Sequence, residues 1–187
     1  MIPNSLGPPS FISRQPSWEY PVELELSQET SIFTARAGIE ERQRRRVRSR
    51  VEIAWTAALS PSETAERDAS AENAHAKAAV VPIWTERTLT TALIDSDAVS
   101  IDRSPDDEWF VPGDYAYLVT PAMGGEFRLI TAADKVTLTI TFASLPGALA
   151  FPIGTVIYPC RLCSSRGAEW SQNSKRYARE QYRFSSL

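Results

Sequence analysis

The sequence has one histidine, two cysteines and eight glycines in 187 residues, and each scarcity removes a class of chemistry. Catalysis with a histidine base would have to use His75, which sits among alanines with Asn73 and Lys77 nearby and nothing to orient an imidazole. It reads as an ordinary surface or interface histidine. Cys160 and Cys163 form a lone C-R-L-C, too few ligands for a structural zinc site, and YPCRLCS reads as a strand end, not the helix start of a thioredoxin-like dithiol. Both are expected to be ordinary, partly buried thiols. There is no G-x-S-x-G, Walker loop or G-x-G-x-x-G, and Gly124-Gly125 marks a turn. No run approaches the roughly 20 apolar residues that cross a bilayer, and MIPNSLGPPSFISRQPSW lacks the basic start and apolar core of a signal peptide. A cytoplasmic, non-enzymatic protein with no cofactor, no metal and no membrane partner is the expectation.

What is present is a globular composition, 43% hydrophobic and 10% aromatic, with a net charge of −3 that conceals strong local separation. Seven arginines face two glutamates between Arg36 and Arg50, and six basic residues face two acids between Arg161 and Leu187. The compensating acids lie in WEYPVELELSQE, in the stretch at 60–79, and in DSDAVSIDRSPDDE. Such separation suits contacts between copies of one chain at least as well as contacts with nucleic acid. The acids Asp95, Asp97, Asp102, Asp106, Asp107 and Glu108 lack the spacing and glycine of an EF-hand loop and read as a solvated loop.

The most unusual stretch is IEERQRRRVRSRVEIAW, residues 39–55. Arg42, Arg44, Arg46, Arg48 and Arg50 fall on even positions, Val47, Val51, Ile53 and Trp55 on odd ones. A period of two predicts one strand with a buried Val/Ile/Trp face and a guanidinium ladder about 27 Å long on the other. Such a row repels itself unless an anion meets it. Nucleic acid read by charge alone is one candidate; acids such as Glu23, Glu25, Glu40, Glu41 and Glu52, from a neighbouring strand or an adjacent subunit, are another. A solvated arginine face is the third alternative.

Along the chain, five prolines in residues 1–21 predict an extended arm, at its barest over 1–17, of the kind that lies on a neighbour. VELELS and SIFTARAG read as strands before the arginine strand. Ser60, Pro61 and Glu63 form a capping box, predicting a helix from about Pro61 to Ala79 that lies flat on the sheet. From 85 to 159, short strands separated by Pro112-Gly113-Asp114, Gly124-Gly125, Asp134-Lys135 and Pro146-Gly147 describe a small antiparallel barrel or sandwich. The tail KRYAREQYRFSSL returns as a final strand. The expected fold is α+β and mostly β: a body made of 18–84 plus 160–187, with the 85–159 module inserted.

Taken in order, Gly38-Ile39-Glu40-Glu41-Arg42 through Arg50, Leu59-Ser60-Pro61-Ser62-Glu63, Val81-Pro82-Ile83-Trp84, Phe110-Val111-Pro112-Gly113-Asp114, G-E-F-R-L-I and Val156-Ile157-Tyr158-Pro159 form a pattern over most of the chain. It resembles minor tail proteins of long-tailed bacteriophages, most closely the distal tail or tail-tip (baseplate) ring proteins. The resemblance implies a tail-tube-like β-sandwich with one flanking helix and an inserted β module, assembled as a hexameric ring that joins tail tube to hub. It implies a structural virion protein whose partners are its own copies, the tube, tape-measure, hub or fibre proteins, and the genome DNA passing through the lumen. Assembly contacts would then come from Arg42, Arg44, Arg46, Arg48 and Arg50, with Trp18 and Trp55 as apolar anchors. A tail-completion or terminator ring is the nearest alternative, and a nucleic-acid-binding module using the same arginines is the alternative from another class.

Overall fold

The computed structural model describes residues 10–28, 30–34, 40–44, 48–59, 78–92, 97–105, 108–120, 124–143, 151–172 and 178–186. Its strands are β1 (Ser10–Phe11), β2 (Glu23–Ser27), β3 (Thr30–Thr34), β4 (Glu40–Arg44), β5 (Arg50–Leu59), β6 (Ala79–Pro82), β7 (Thr88–Leu89), β8 (Ala98–Ser100), β9 (Tyr115–Thr120), β10 (Gly124–Asp134), β11 (Thr139–Phe142), β12 (Val156–Gln172) and β13 (Ala178–Ser186). The described part is therefore mostly β. Of the helix predicted from about Pro61 to Ala79, residues 61–77 lie outside the described residues, and Ala79, its expected end, already belongs to β6.

Eleven of the described strands form one open sheet, antiparallel except for the β1–β6 pair, along the path β2-β5-β13-β12-β9-β10-β11-β8. The spine is β12, seventeen residues long. Val156 to Pro159 pairs with β9, and β7 flanks its first two residues; from Cys160 onward the partners are β6 and then β13. Two prolines mark the exchange. Pro82 stands opposite Cys160, and the carbonyl of Pro159 accepts from the Ile83 amide at 2.8 Å. Proline offers the ladder no donor, so it fits where partners change. C-R-L-C is thus the middle of a strand and not its end. Beyond β7 and β8, Thr90 and Ile101 form a single bridge, flanked by bonds from the Thr91 amide to Ser100 and from the Asp102 amide to Leu89.

The alternation expected of β5 holds: Val51, Ile53, Trp55 and Ala57 are all buried. Burying each large apolar side chain contributes about 1.5–3 kcal/mol. Trp55 stacks on Phe184 of β13 at 5.5 Å and meets Trp84 edge-on at 6.3 Å. Trp84 in turn touches Tyr158 at 5.1 Å and Tyr117 at 6.0 Å, and Tyr117 lies 4.5 Å from Phe127. One chain of rings therefore runs from β5 to β10.

The described part of the N-terminal arm, from Ser10, lies on this chain's own sheet. The Ile12 amide donates to Val80, the Ser17 amide donates to Thr56, and Pro16 is buried. Ser13 is hydrogen-bonded to the Tyr117 hydroxyl, and the Phe11 ring packs on Tyr115 and Phe127 at 5.2 and 5.0 Å. The strap thus links the β5 edge to β6 and β10.

Candidate functional site

The arginine run is divided between two structures. Arg42 and Arg44 occupy alternate positions of β4, in register with Ile32 and Thr30 of β3. Among the described strands, β3 and β4 pair only with each other. Arg46 lies outside the described residues. Arg48 sits in a bend, and Arg50 opens β5. The continuous strand expected over this run is interrupted because Arg48 and Ser49 are captured from the side: the Ser49 amide donates to Glu108 Oε1 at 2.9 Å, not to a strand.

Around Arg48 and Arg50 lies a cleft of about 370 Å³ lined by Ser49, Asp114, Arg161, Leu162 and Ser186 as well. A tight turn delivers its central acid. Val111-Pro112-Gly113-Asp114 is closed by the Asp114 amide donating to the Val111 carbonyl at 3.0 Å, with Gly113 at φ +95°. Proline followed by a glycine at positive φ is the type II arrangement. Asp114 Oδ2 then accepts from Arg48 Nη2 at 2.6 Å and from Arg161 Nη1 at 3.2 Å. Both guanidiniums also donate to the Glu108 carbonyl, and Arg161 Nη2 lies 3.5 Å from Glu108 Oε1. Arg50 turns the other way, donating through Nε and Nη2 to Ser185 Oγ at 3.0 and 2.8 Å, with Glu52 at 3.5 Å.

Arg161 is only 6% exposed and lies over the Trp109 ring, 5.5 Å from its centroid. Burial pulls its pKa down, as does the charge of Arg48; Asp114 and Glu108 pull it back up. A guanidinium stays charged through this contest. On either side of it, Cys160 and Cys163 are buried free thiols. Burial raises Cys160 well above the ordinary range and Cys163 to about 12, the latter opposed by Arg161 and reinforced by Asp114. Thiols held so far above neutrality are unreactive. The cleft is an internal clamp: charges from before β5, from the loop before β9 and from β12 neutralise one another.

A different set of charges has no partner among the described residues. Glu19, Glu23 and Glu25 are exposed along or beside β2, an edge strand bonded only to β5, and form no ion pair among the described residues. They alternate with apolar surface, Trp18 at 65% and Leu26 at 48% exposure. Trp55, at 1%, anchors within the chain's own core.

Of the acidic loop, Asp102 accepts from the Thr88 hydroxyl at 2.6 Å and the Leu89 amide at 2.9 Å, so it ties β7 to the end of β8. Asp95, Asp106, Asp107 and His75 lie outside the described residues. Among the described residues no group of three His, Cys, Asp or Glu is placed to hold a metal ion, and no helix is long and apolar enough to cross a membrane. No protein-family model matches the chain, and no curated protein matches its sequence. Sequence reasoning missed Glu108 and Asp114 as partners of Arg48, and Arg161 as the second cation they hold; the one local signal was the Pro-Gly turn that aims Asp114.

Proposed function

We propose that this chain is a structural subunit of a long-tailed bacteriophage virion, forming a ring at the distal end of the tail between tube and baseplate hub. The observation that carries this reading is the β3–β4 hairpin, which pairs with nothing but itself among the described strands. A lone two-stranded hairpin is marginal in water and gains its stability from what it packs against. A subunit that keeps such a hairpin, beside an edge strand with unpaired charge, is built for contacts with other chains.

In this reading, 18–84 and 160–187 are the tube-like β-sandwich body with its flanking helix, and 85–159 is a docking module that closes as a small barrel. The exchange of β12's partners between Pro159 and Cys160 supports the division. The circuit β7-β12-β9-β10-β11-β8, with the Thr90 to Ile101 bridge at its ends, supports the closure. Tube, tape-measure, hub or fibre proteins are the neighbours, and genome DNA passes through the lumen. Arg48 and Arg50 brace the subunit internally, and this reading assigns the contacts outside it to Arg42 and Arg44 on β4.

Native mass spectrometry of the purified chain across a concentration series tests this. The expected result is a discrete closed oligomer, a hexamer in the tail-tip reading. A strict monomer at every concentration overturns it.

A further inference from the structure

We infer that the acidic edge formed by Trp18, Glu19, Glu23, Glu25 and Leu26 is the socket for the β3–β4 hairpin of the next copy of this chain, an inference that rests on the ring reading and names the surfaces that meet. Charge argues for the pairing. Residues 18–28 hold three glutamates and no basic residue, whereas 30–46 hold five arginines and two glutamates. The glutamates are exposed and without ion pairs among the described residues. Complementary charge of this kind selects a partner and sets its orientation.

Backbone argues in the same direction. The outer edge of β2 has no strand beside it among the described residues, and neither do the outer edges of the hairpin. Unpaired strand edges add to one another through main-chain hydrogen bonds. On β4, Arg42 and Arg44 are two positions apart, as Glu23 and Glu25 are on β2, so one register brings both pairs together at the spacing of a strand.

The hairpin is kept from its own β2. Only residues 28 and 29 separate β2 from β3, and both legs are fastened at the base: Gln28 Nε2 donates to Ser49 Oγ at 3.1 Å, and the Ser49 amide is held by Glu108. The hairpin therefore continues past the end of the β2–β5 pair, and the socket it fits is on another copy. Socket and hairpin are different surfaces, so the contact is head-to-tail, the type that generates rings.

The test uses two variants of the full chain, Arg42→Glu/Arg44→Glu and Glu23→Arg/Glu25→Arg, with native mass spectrometry and light scattering at low and high salt. Circular dichroism and thermal melts establish that each variant stays folded. The expectation is that each variant alone loses assembly, its association midpoint rising by about tenfold or more. Mixed in equal amounts, they regain it as even-numbered oligomers of alternating subunits, because each supplies the charge the other has reversed. Oligomers that survive both reversals, or a mixture that stays dissociated, overturn the inference and leave the ring reading standing. A wild-type chain that is monomeric throughout overturns the ring reading and the inference with it.

Discussion

Arg48 and Arg161 share one oxygen: Asp114 Oδ2 lies 2.6 Å from the first guanidinium and 3.2 Å from the second. Two like charges converge because one carboxylate and the Glu108 carbonyl stand between them. Replacing Asp114 by alanine leaves Arg161, 6% exposed, beside a second cation with only Glu108 Oε1, 3.5 Å away, as counter-ion, and the expected cost is about 3 kcal/mol. Arg48→Ala removes a cation that is 31% exposed on its side chain, and in that more screened setting the expected cost is about 1 kcal/mol. Urea unfolding of both variants checks the order; an Arg48→Ala loss as large as that of Asp114→Ala would show that the clamp is not centred on Arg161.

Gly125 lies under a ring. A Cβ there would come within 1.9 Å of the Tyr117 hydroxyl oxygen and 2.1 Å of its Cζ, and Tyr117 is itself wedged between Trp84 and Phe127. Gly125→Ala is expected to cost about 1–3 kcal/mol, the range for overpacking a core. In a Tyr117→Ala background the same change should cost almost nothing, and the double-mutant cycle measures the coupling.

Leu138 has φ +53° at the end of the β10–β11 turn while its side chain packs on the core. A left-handed conformation costs a branched or bulky residue about 1–2 kcal/mol. Leu138→Ala loses the packing and keeps the strain, whereas Leu138→Gly loses both. Glycine is thus expected to be the more stable of the two by about 1 kcal/mol, the reverse of their usual order in a strand. Thermal melts of the pair decide it.

Asp102 supplies a pH dependence of known sign. Burial raises its pKa, but the Leu89 amide, the Thr88 hydroxyl and the charge of Arg103 outweigh that and leave it below the ordinary 3.8. A folded pKa below the unfolded one means that the carboxylate stabilises the fold above 3.8, and that this contribution fades as pH falls through the lower folded value. The stability difference between wild type and Asp102→Asn should be flat from neutrality down to about pH 5 and shrink below it. Urea midpoints across that range provide the measurement; a difference that grows on acidification contradicts the assignment.

Periodicity is a local signal, and its reach explains what could be foreseen. Val51, Ile53 and Trp55 alternate, and the sheet buries them as alternation requires. The same parity runs on through Arg48, yet the strand stops there, because the partners of Ser49 and Arg48 lie 59 and 66 residues away at Glu108 and Asp114. No window on the sequence contains both ends of those bonds. Pro159 likewise looked like a terminus, but its carbonyl still accepts from Ile83 and the strand passes through it to Gln172. The arm was foreseen as extended; that Ser10–Ser17 lies on its own sheet depends on Val80 and Thr56, which no proline count reveals.

Because β12 runs from its pairing with β9 to its pairing with β13, its own peptide bonds join the two ends of the spine. A pull along the strand, away from its β13 end, loads the β13 and β6 ladders lengthwise. Their hydrogen bonds then resist together in shear and do not peel apart one at a time. Of the two directions in which a sheet can be loaded, this is the stiffer.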